Sequence, residues 1–177
     1  GADRLAERLI RPLRWQAEIF GFRTVTLDVR QNSSVTTRAL ASIWGVDGAG
    51  YGSPEWSQRL RREIAQEDLP LPDRAALPAE TAELLDLLDL MRATRFGADP
   101  LAIGPFILSM TRSCDDLLGV FLLARYAGFG PERLDLRVVP LFETIGDLRA
   151  APVILDELLR VPVARRSLEL DGRDRKS

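Results

Sequence analysis

A chain of 177 residues, 46% apolar and 28% charged, holds material for one globular domain of ordinary size, which excludes a disordered or fibrous protein. A formal net charge of −2 removes the electrostatic case for nucleic acid or an anionic membrane, and the single cysteine, Cys114, removes an internal disulfide and fits a reducing compartment. The absence of histidine excludes imidazole acid/base catalysis, His-containing triads and His metal ligands.

From Asp3 to about Phe20, apolar residues at Leu5, Leu9, Ile10, Leu13 and Ile19 follow helical spacing, with Pro12 as a kink or break. "GFRTVTLDVRQ", Gly21 to Gln31, alternates Val25, Leu27 and Val29 and predicts a strand. "NSSVTTRALASIWG" predicts a helix, with Asn32, Ser33 or Ser34 as N-cap and Gly45 as stop. A Gly-rich turn leads to a second helix around Pro54 to Gln66, and Pro70, Pro72 and Pro78 punctuate a linker. "PAETAELLDLLDLMRATRFG" predicts a long amphipathic helix with Leu84, Leu87, Leu88 and Met91 on one face, and Asp86 and Asp89 on a solvated one.

The next strand is "AIGPFILSM", Ala102 to Met110, followed by a helix capped by Ser113 and acidic at its start. "RVVPLFET", Arg137 to Thr144, reads as a buried strand ending on a carboxylate. The helix after it carries Pro152 as a candidate interruption. The order β-α-β-α-β-α with long crossovers forces parallel strands, so the class is α/β. Three strands are few for a parallel sheet, and "LLGVFLLA" is apolar nearly all round; both features predict a chain that lacks neighbours. The start Gly-Ala-Asp, without an initiator Met, reads as processing or as a piece of something longer. No signal peptide or bilayer-length apolar run is apparent.

In a parallel α/β unit, function collects at the carboxyl ends of the strands. Those ends read Asp28-Val29-Arg30-Gln31, Ser109-Met110-Thr111-Arg112 and Phe142-Glu143-Thr144. Glu143 offers a hard oxygen for a divalent cation, and Arg30 a planar fork for phosphate or carboxylate. Each has a plainer reading beside it. A Glu before a helix is commonly a helix-start charge, and Arg30 also suits an ion pair with Asp28 or a helix carboxylate. Arg112 reads as a surface partner of Asp115 and Asp116, and Cys114 as an inert thiol with no base beside it.

"GFRTVTLDVRQNSSVTTRAL", "IGPFILSMTRSCDDLLGVFLLARYAG" and "VVPLFETIGDLRAAPVILDELLRVPVARRSL" together resemble phosphoenolpyruvate carboxylase of the bacterial type, from about Leu13 to Leu168. The resemblance implies a partial (β/α)8 TIM-type barrel of about three parallel βα units with extra helices over residues 1–168, with 169–177 as a polar tail. It implies a cytoplasmic lyase, usually a homotetramer, that joins bicarbonate to phosphoenolpyruvate with Mg²⁺ or Mn²⁺ to give oxaloacetate and phosphate. Glu143 matches the metal ligand of the P-L-F-E-T motif, and Arg30 the active-site Arg of L-D-x-R-Q. Bicarbonate attack on the phosphoryl group would give carboxyphosphate and the enolate of pyruvate.

The departures are equally specific. The upstream catalytic His, the second metal carboxylate of a G-Y-S-D-S strand and the "GRGG" loop are absent, and Thr36 stands where many relatives carry His. Asp171 and Asp174 do not replace the carboxylate, because no apolar strand precedes them. The chain is thus expected to be catalytically silent alone, as a fragment or truncated homologue. Two other readings stand beside this one. One is another metal-dependent pyruvate or oxoacid lyase on the same kind of barrel. The other is a non-catalytic interaction module that forms a homo-oligomer or joins full-length subunits through its unfinished sheet edge.

Overall fold

Three short strands form one parallel sheet in chain order: β1 (Leu27–Asn32), β2 (Ile103–Ser109) and β3 (Val138–Pro140). These coordinates are a computed structural model that describes residues 2–21, 25–97, 99–132 and 134–174. Between β1 and β2 run α3 (Ser33–Trp44), a 3-10 turn (Gly48–Gly50), α4 (Pro54–Ile64), a 3-10 turn (Arg74–Ala76) and α5 (Ala79–Arg95). Between β2 and β3 lies α6 (Cys114–Tyr126), and α7 (Ile145–Leu159) and α8 (Pro162–Asp174) follow β3. Before β1 lie α1 (Ala2–Leu5), a π-helical turn (Ala6–Ile10) and α2 (Arg11–Phe20).

Strands paired in chain order, each joined to the next by a right-handed crossover, place their helices on a single face. Burial follows that rule. Phe106 and Leu108 of β2 are fully buried in one core with α3, α4, α5 and α6, whereas the row Arg30, Ile107, Val139 faces away from it. Arg30 and Val139 in that row are exposed. The sheet is therefore covered on one side and open on the other.

Helix ends follow their sequence signals closely. Asn32 caps α3 by accepting from the Ser34 amide at 2.9 Å, and Gly45 ends it in the left-handed region at φ +65°. Ser113 and Asp116 form a reciprocal capping box on α6, and Thr144 and Asp147 form another on α7.

Several expectations need correction. The first strand is shorter than the Gly21–Gln31 reading: pairing begins at Leu27, and Phe22, Arg23 and Thr24 lie outside the described residues. The third strand spans only three residues, because Pro140 has no amide to donate, although the Leu141 amide still reaches the Leu108 carbonyl at 2.9 Å. On α5, Leu85 is buried where Leu87 was expected, and Leu87 is half-buried. Asp86 and Asp89 each pair with an Arg, Arg74 and Arg92 respectively. Helix α7 runs through Pro152, anchored in its second half by buried Ile154 and Leu158. Pro12 sits in the first turn of α2, where a missing amide is harmless, with the π-helical turn just before it. The helix α8 extends past Leu168 to Asp174, through most of the expected polar tail.

The all-round apolar α6 finds its partners inside the chain. Every residue from Cys114 to Tyr126 is buried, against α3, α4, α5, α7 and β3. The uncovered apolar surface lies elsewhere. Leu5, Leu9, Ile10, Leu13, Ile19 and Phe20 are all exposed, as are Ile145, Leu148 and Val153 on α7. Among the described residues no helix is long and apolar enough to cross a membrane.

A polar network ties α4 to α3 and α6 inside the core. The buried Glu63 carboxylate accepts from Trp44 Nε1 at 3.0 Å, Arg59 Nε at 2.7 Å and the Tyr126 hydroxyl. Burial pushes its pKa upward, but the hydrogen bonds from Tyr126, Arg59 and Trp44 outweigh that and hold it below the ordinary value of 4.5. A carboxyl with a lowered folded-state pKa stabilises the fold fully above its unfolded value, and that stability fades as pH falls through the folded value. The Glu63→Gln protein is therefore expected to be less stable by about 2 kcal/mol at pH 7. In urea titrations, the gap to wild type should shrink below about pH 4.5.

Candidate functional site

The carboxyl ends of the strands are laced together by short polar contacts. Ser33 Oγ donates to the Met110 carbonyl at 2.8 Å, Ser109 Oγ to the Gln31 carbonyl at 3.2 Å, and the Thr111 amide to the Leu141 carbonyl at 3.2 Å. Thr111 is fully buried and turns its hydroxyl back onto the Leu108 carbonyl at 2.8 Å. Within "LSMTRS" the Ser109 hydroxyl thus ties β2 to the neighbouring end of β1, and the Thr111 hydroxyl turns back onto β2 itself.

Met110 makes the sharpest turn in this lacing. Its φ of +56° is the one left-handed non-glycine backbone among the described residues. That conformation costs a side-chain-bearing residue about 1–2 kcal/mol. Met110→Gly is expected to raise stability by up to about 1 kcal/mol, while the β-branched Met110→Val lowers it by about 1–2 kcal/mol. Thermal unfolding of the two variants measures both shifts.

Across this mouth the two sequence-predicted site residues meet. Arg30 Nη2, at the end of β1, donates to Glu143 Oε1, just beyond β3, at 3.3 Å. The contact bridges over β2 and joins residues 113 apart in sequence. Both side chains keep substantial solvent access, 61% for Arg30 and 35% for Glu143. Asp28 is not the Arg30 partner; its carboxylate sits over Gly104 instead, where an added Cβ would clash with Asp28 Oδ1.

Glu143 fits a divalent cation as one hard-oxygen ligand at an open, solvent-reached mouth. It does not complete a coordination shell. Among the described residues, no group of three or more Cys, Asp or Glu side chains converges to hold a metal.

Arg112 has Asp116 as an ion-pair partner, as expected, although that carboxylate is not on the surface. Asp115 and Asp116 are both buried. Asp115 accepts from Arg61 Nη1 at 2.9 Å and from Ser57. Asp116 accepts from the Tyr51 hydroxyl at 2.7 Å and from the Arg112 amide at 2.8 Å. The Arg112 guanidinium stands 3.9 Å from Asp116 and lies over the Tyr51 ring, 5.2 Å from its centroid. Burial, with Asp116 adding, pushes the Tyr51 phenol up to about 12 against the pull of Ser113 and Arg112, so it stays a neutral donor at neutral pH.

Tyr51 is the residue that sequence reasoning missed. A lone aromatic inside the Gly-rich turn "GAGYGSP" is the signal that marks it, since such a turn needs no bulky side chain of its own. Cys114 is buried, and burial, helped by Glu157 and Asp115 against Arg61, pushes its thiol up to about 12. That excludes a thiolate near neutral pH. Thr36, at the position where a His was looked for, is buried and bonds the Ser33 carbonyl at 2.8 Å inside its own helix.

Comparison with known proteins converges on one family. The family model described as phosphoenolpyruvate carboxylase matches residues 1–176. A phosphoenolpyruvate carboxylase of Methylorubrum extorquens is 44% identical over 184 residues, which cover 95% of this chain and 20% of that protein. One of Roseiflexus castenholzii is 37% identical over 175 residues, covering 95% of this chain and 19% of that protein. The chain spans about a fifth of the length of the curated relatives it matches.

Proposed function

The chain belongs to the phosphoenolpyruvate carboxylase family, and from that premise we propose that it is the segment carrying the Glu143 and Arg30 side of that enzyme's active site. The parent reaction is addition of bicarbonate to phosphoenolpyruvate, giving oxaloacetate and phosphate in the cytoplasm. The single observation that carries this reading is the meeting of Arg30 and Glu143 at one mouth, from motifs 113 residues apart.

The division of labour follows from charge. Glu143 contributes one carboxylate toward Mg²⁺ or Mn²⁺, and Arg30 offers a guanidinium fork to the phosphate or carboxylate of phosphoenolpyruvate. The cation, when bound, supplies Lewis-acid stabilisation of negative charge developing on substrate oxygen. The laced strand ends hold both side chains on fixed backbone, so positive charge is preorganised where it is needed. The chain has no histidine for proton transfer, and among the described residues no group of three or more Cys, Asp or Glu side chains joins Glu143 to complete a metal shell.

The one-faced sheet with strands in chain order supports a partial (β/α)8 barrel, since doubly wound sheets reverse strand order at a switch point. The exposed apolar residues of α2 and α7 and the open sheet face support further polypeptide packing here, from the rest of the barrel or from other subunits.

The test is segment exchange. This chain replaces the corresponding fifth of the Methylorubrum extorquens enzyme, and oxaloacetate formation is followed. Turnover within about tenfold of the parent is expected. A folded hybrid that binds phosphoenolpyruvate but forms no oxaloacetate contradicts the proposal.

A further inference from the structure

A cavity of about 510 Å³ opens at the end of the sheet opposite the mouth, within the roughly 300–1,000 Å³ usual for small-molecule sites. It lies between the end of α4, the corner where α7 gives way to α8, and Pro131 in the segment ahead of β3. Ser167 of α8 donates to the Leu136 carbonyl at 2.9 Å, which ties one wall to the amino end of β3. Arg125, inside the core, donates to the Gln66 and Glu67 carbonyls at 2.7 and 3.0 Å and fixes another. We propose that the cavity binds a small zwitterion with an apolar body.

The charges carry the argument. Three guanidiniums and three carboxylates line the cavity, on Arg61, Arg160 and Arg166 and on Glu67, Glu132 and Glu157. One of each is committed: Arg61 donates to Glu157 and, at 2.9 Å, to buried Asp115. The other two guanidiniums are loosely engaged. Arg160 pairs with Asp156 one helical turn back, and both of those side chains are mostly exposed. Arg166 reaches the Pro131 carbonyl at 3.5 Å and stands 3.8 Å from Glu132, and its buried Nε has no acceptor among the described residues. A guanidinium carries several donors in a fixed fork, so Arg166 keeps unused hydrogen-bonding capacity at the cavity wall.

Helix α7 ends where α8 begins, so the negative end of one offsets the positive end of the other and the side chains set the local field. A lining with equal numbers of both charges favours a ligand that is itself balanced. Its carboxylate goes to Arg160 and Arg166, and its ammonium to Glu67 and Glu132. Ile64, Val161 and Val163 supply apolar wall for the body of the ligand. A short apolar peptide with free termini has this pattern.

The test titrates the ¹⁵N-labelled full chain with leucyl-leucine and follows the amides of Ile64, Val161 and Val163. The N-acetylated dipeptide keeps the carboxylate alone, and the C-terminal amide keeps the ammonium alone. The free dipeptide is expected to bind about two- to five-fold more tightly than either blocked form. Arg160→Gln and Arg166→Gln should each weaken the free dipeptide by a similar factor and leave the C-terminal amide unchanged, because that form offers no carboxylate. Arg160 is exposed, so its variant preserves the test if Arg166→Gln fails to fold. Arg30→Ala, at the far end of the sheet, should change nothing. Blocked forms that bind as tightly as the free dipeptide overturn the preference for a zwitterion. Variants that bind the free dipeptide as wild type does overturn the assigned guanidiniums, and the absence of any shift at these amides with millimolar dipeptide overturns the site itself.

Discussion

Glu143→Ala, placed in the hybrid enzyme, is expected to reduce oxaloacetate formation on the order of 10²–10³-fold while leaving the fold intact. A loss of that size follows when the cation that would offset charge on a developing oxyanion loses a carboxylate ligand. The side chain lies on a loop beyond β3, is 35% exposed and makes its contact with Arg30, so its removal opens no cavity in the core. Arg30→Ala should act differently. A guanidinium that chiefly binds a substrate anion weakens binding when lost, so the apparent KM for phosphoenolpyruvate rises more than kcat falls. The measurement is steady-state kinetics of both variants with varied Mg²⁺ and phosphoenolpyruvate. Similar small effects from both substitutions would remove the roles assigned to them.

Phe106→Ala is expected to destabilise the isolated chain by about 3–5 kcal/mol, enough to unfold a domain of ordinary stability. Phe106 is fully buried at the centre of β2, the strand flanked on both sides, and it shares one cluster with the apolar residues of α6. Its register partners are Val29 and Val138, so a void there loosens both strand pairs at once. Chemical denaturation followed by circular dichroism gives the shift. Ile107, one residue on and facing the open side, provides the contrast, and Ile107→Ala should have the smaller effect.

The legible parts of the fold were those in which one short segment decides the outcome. Asn32 (one of three candidates), Gly45 and Ser113 each cap or stop a helix with their own side chain or backbone, and all three stand where the sequence signals put them. Parallel pairing followed from crossovers too long for hairpins. What the sequence concealed depends on neighbours distant in the chain. Whether Leu85 or Leu87 faces the core is set by how α5 rolls against α6, and periodicity alone allows either. The burial of Asp115 and Asp116 depends on Ser57, Arg61 and Tyr51, none of them near in sequence. The apolar surround of α6 suggested missing neighbours, yet four helices of the same chain supply them.

At the site the same division holds. Arg30 and Glu143 were identified one by one from local motifs, and each local motif also had an ordinary structural reading. Their meeting at 3.3 Å is a property of the sheet, visible only once β1 and β3 flank β2. The plainer reading of Arg30 named Asp28 or a helix carboxylate as its partner; the partner is a carboxylate, but it is Glu143 of the loop before α7, and Asp28 turns toward Gly104.

The most direct test of the central claim, that this chain carries one side of the carboxylase site and cannot complete it, is oxaloacetate formation by the isolated chain. Phosphoenolpyruvate, bicarbonate and Mg²⁺ are supplied, with malate dehydrogenase and NADH as reporter, and circular dichroism verifies that the chain is folded. No turnover from the folded chain is the predicted result. Turnover that Glu143→Ala abolishes would contradict it, because a complete site would then exist within a chain that has no histidine.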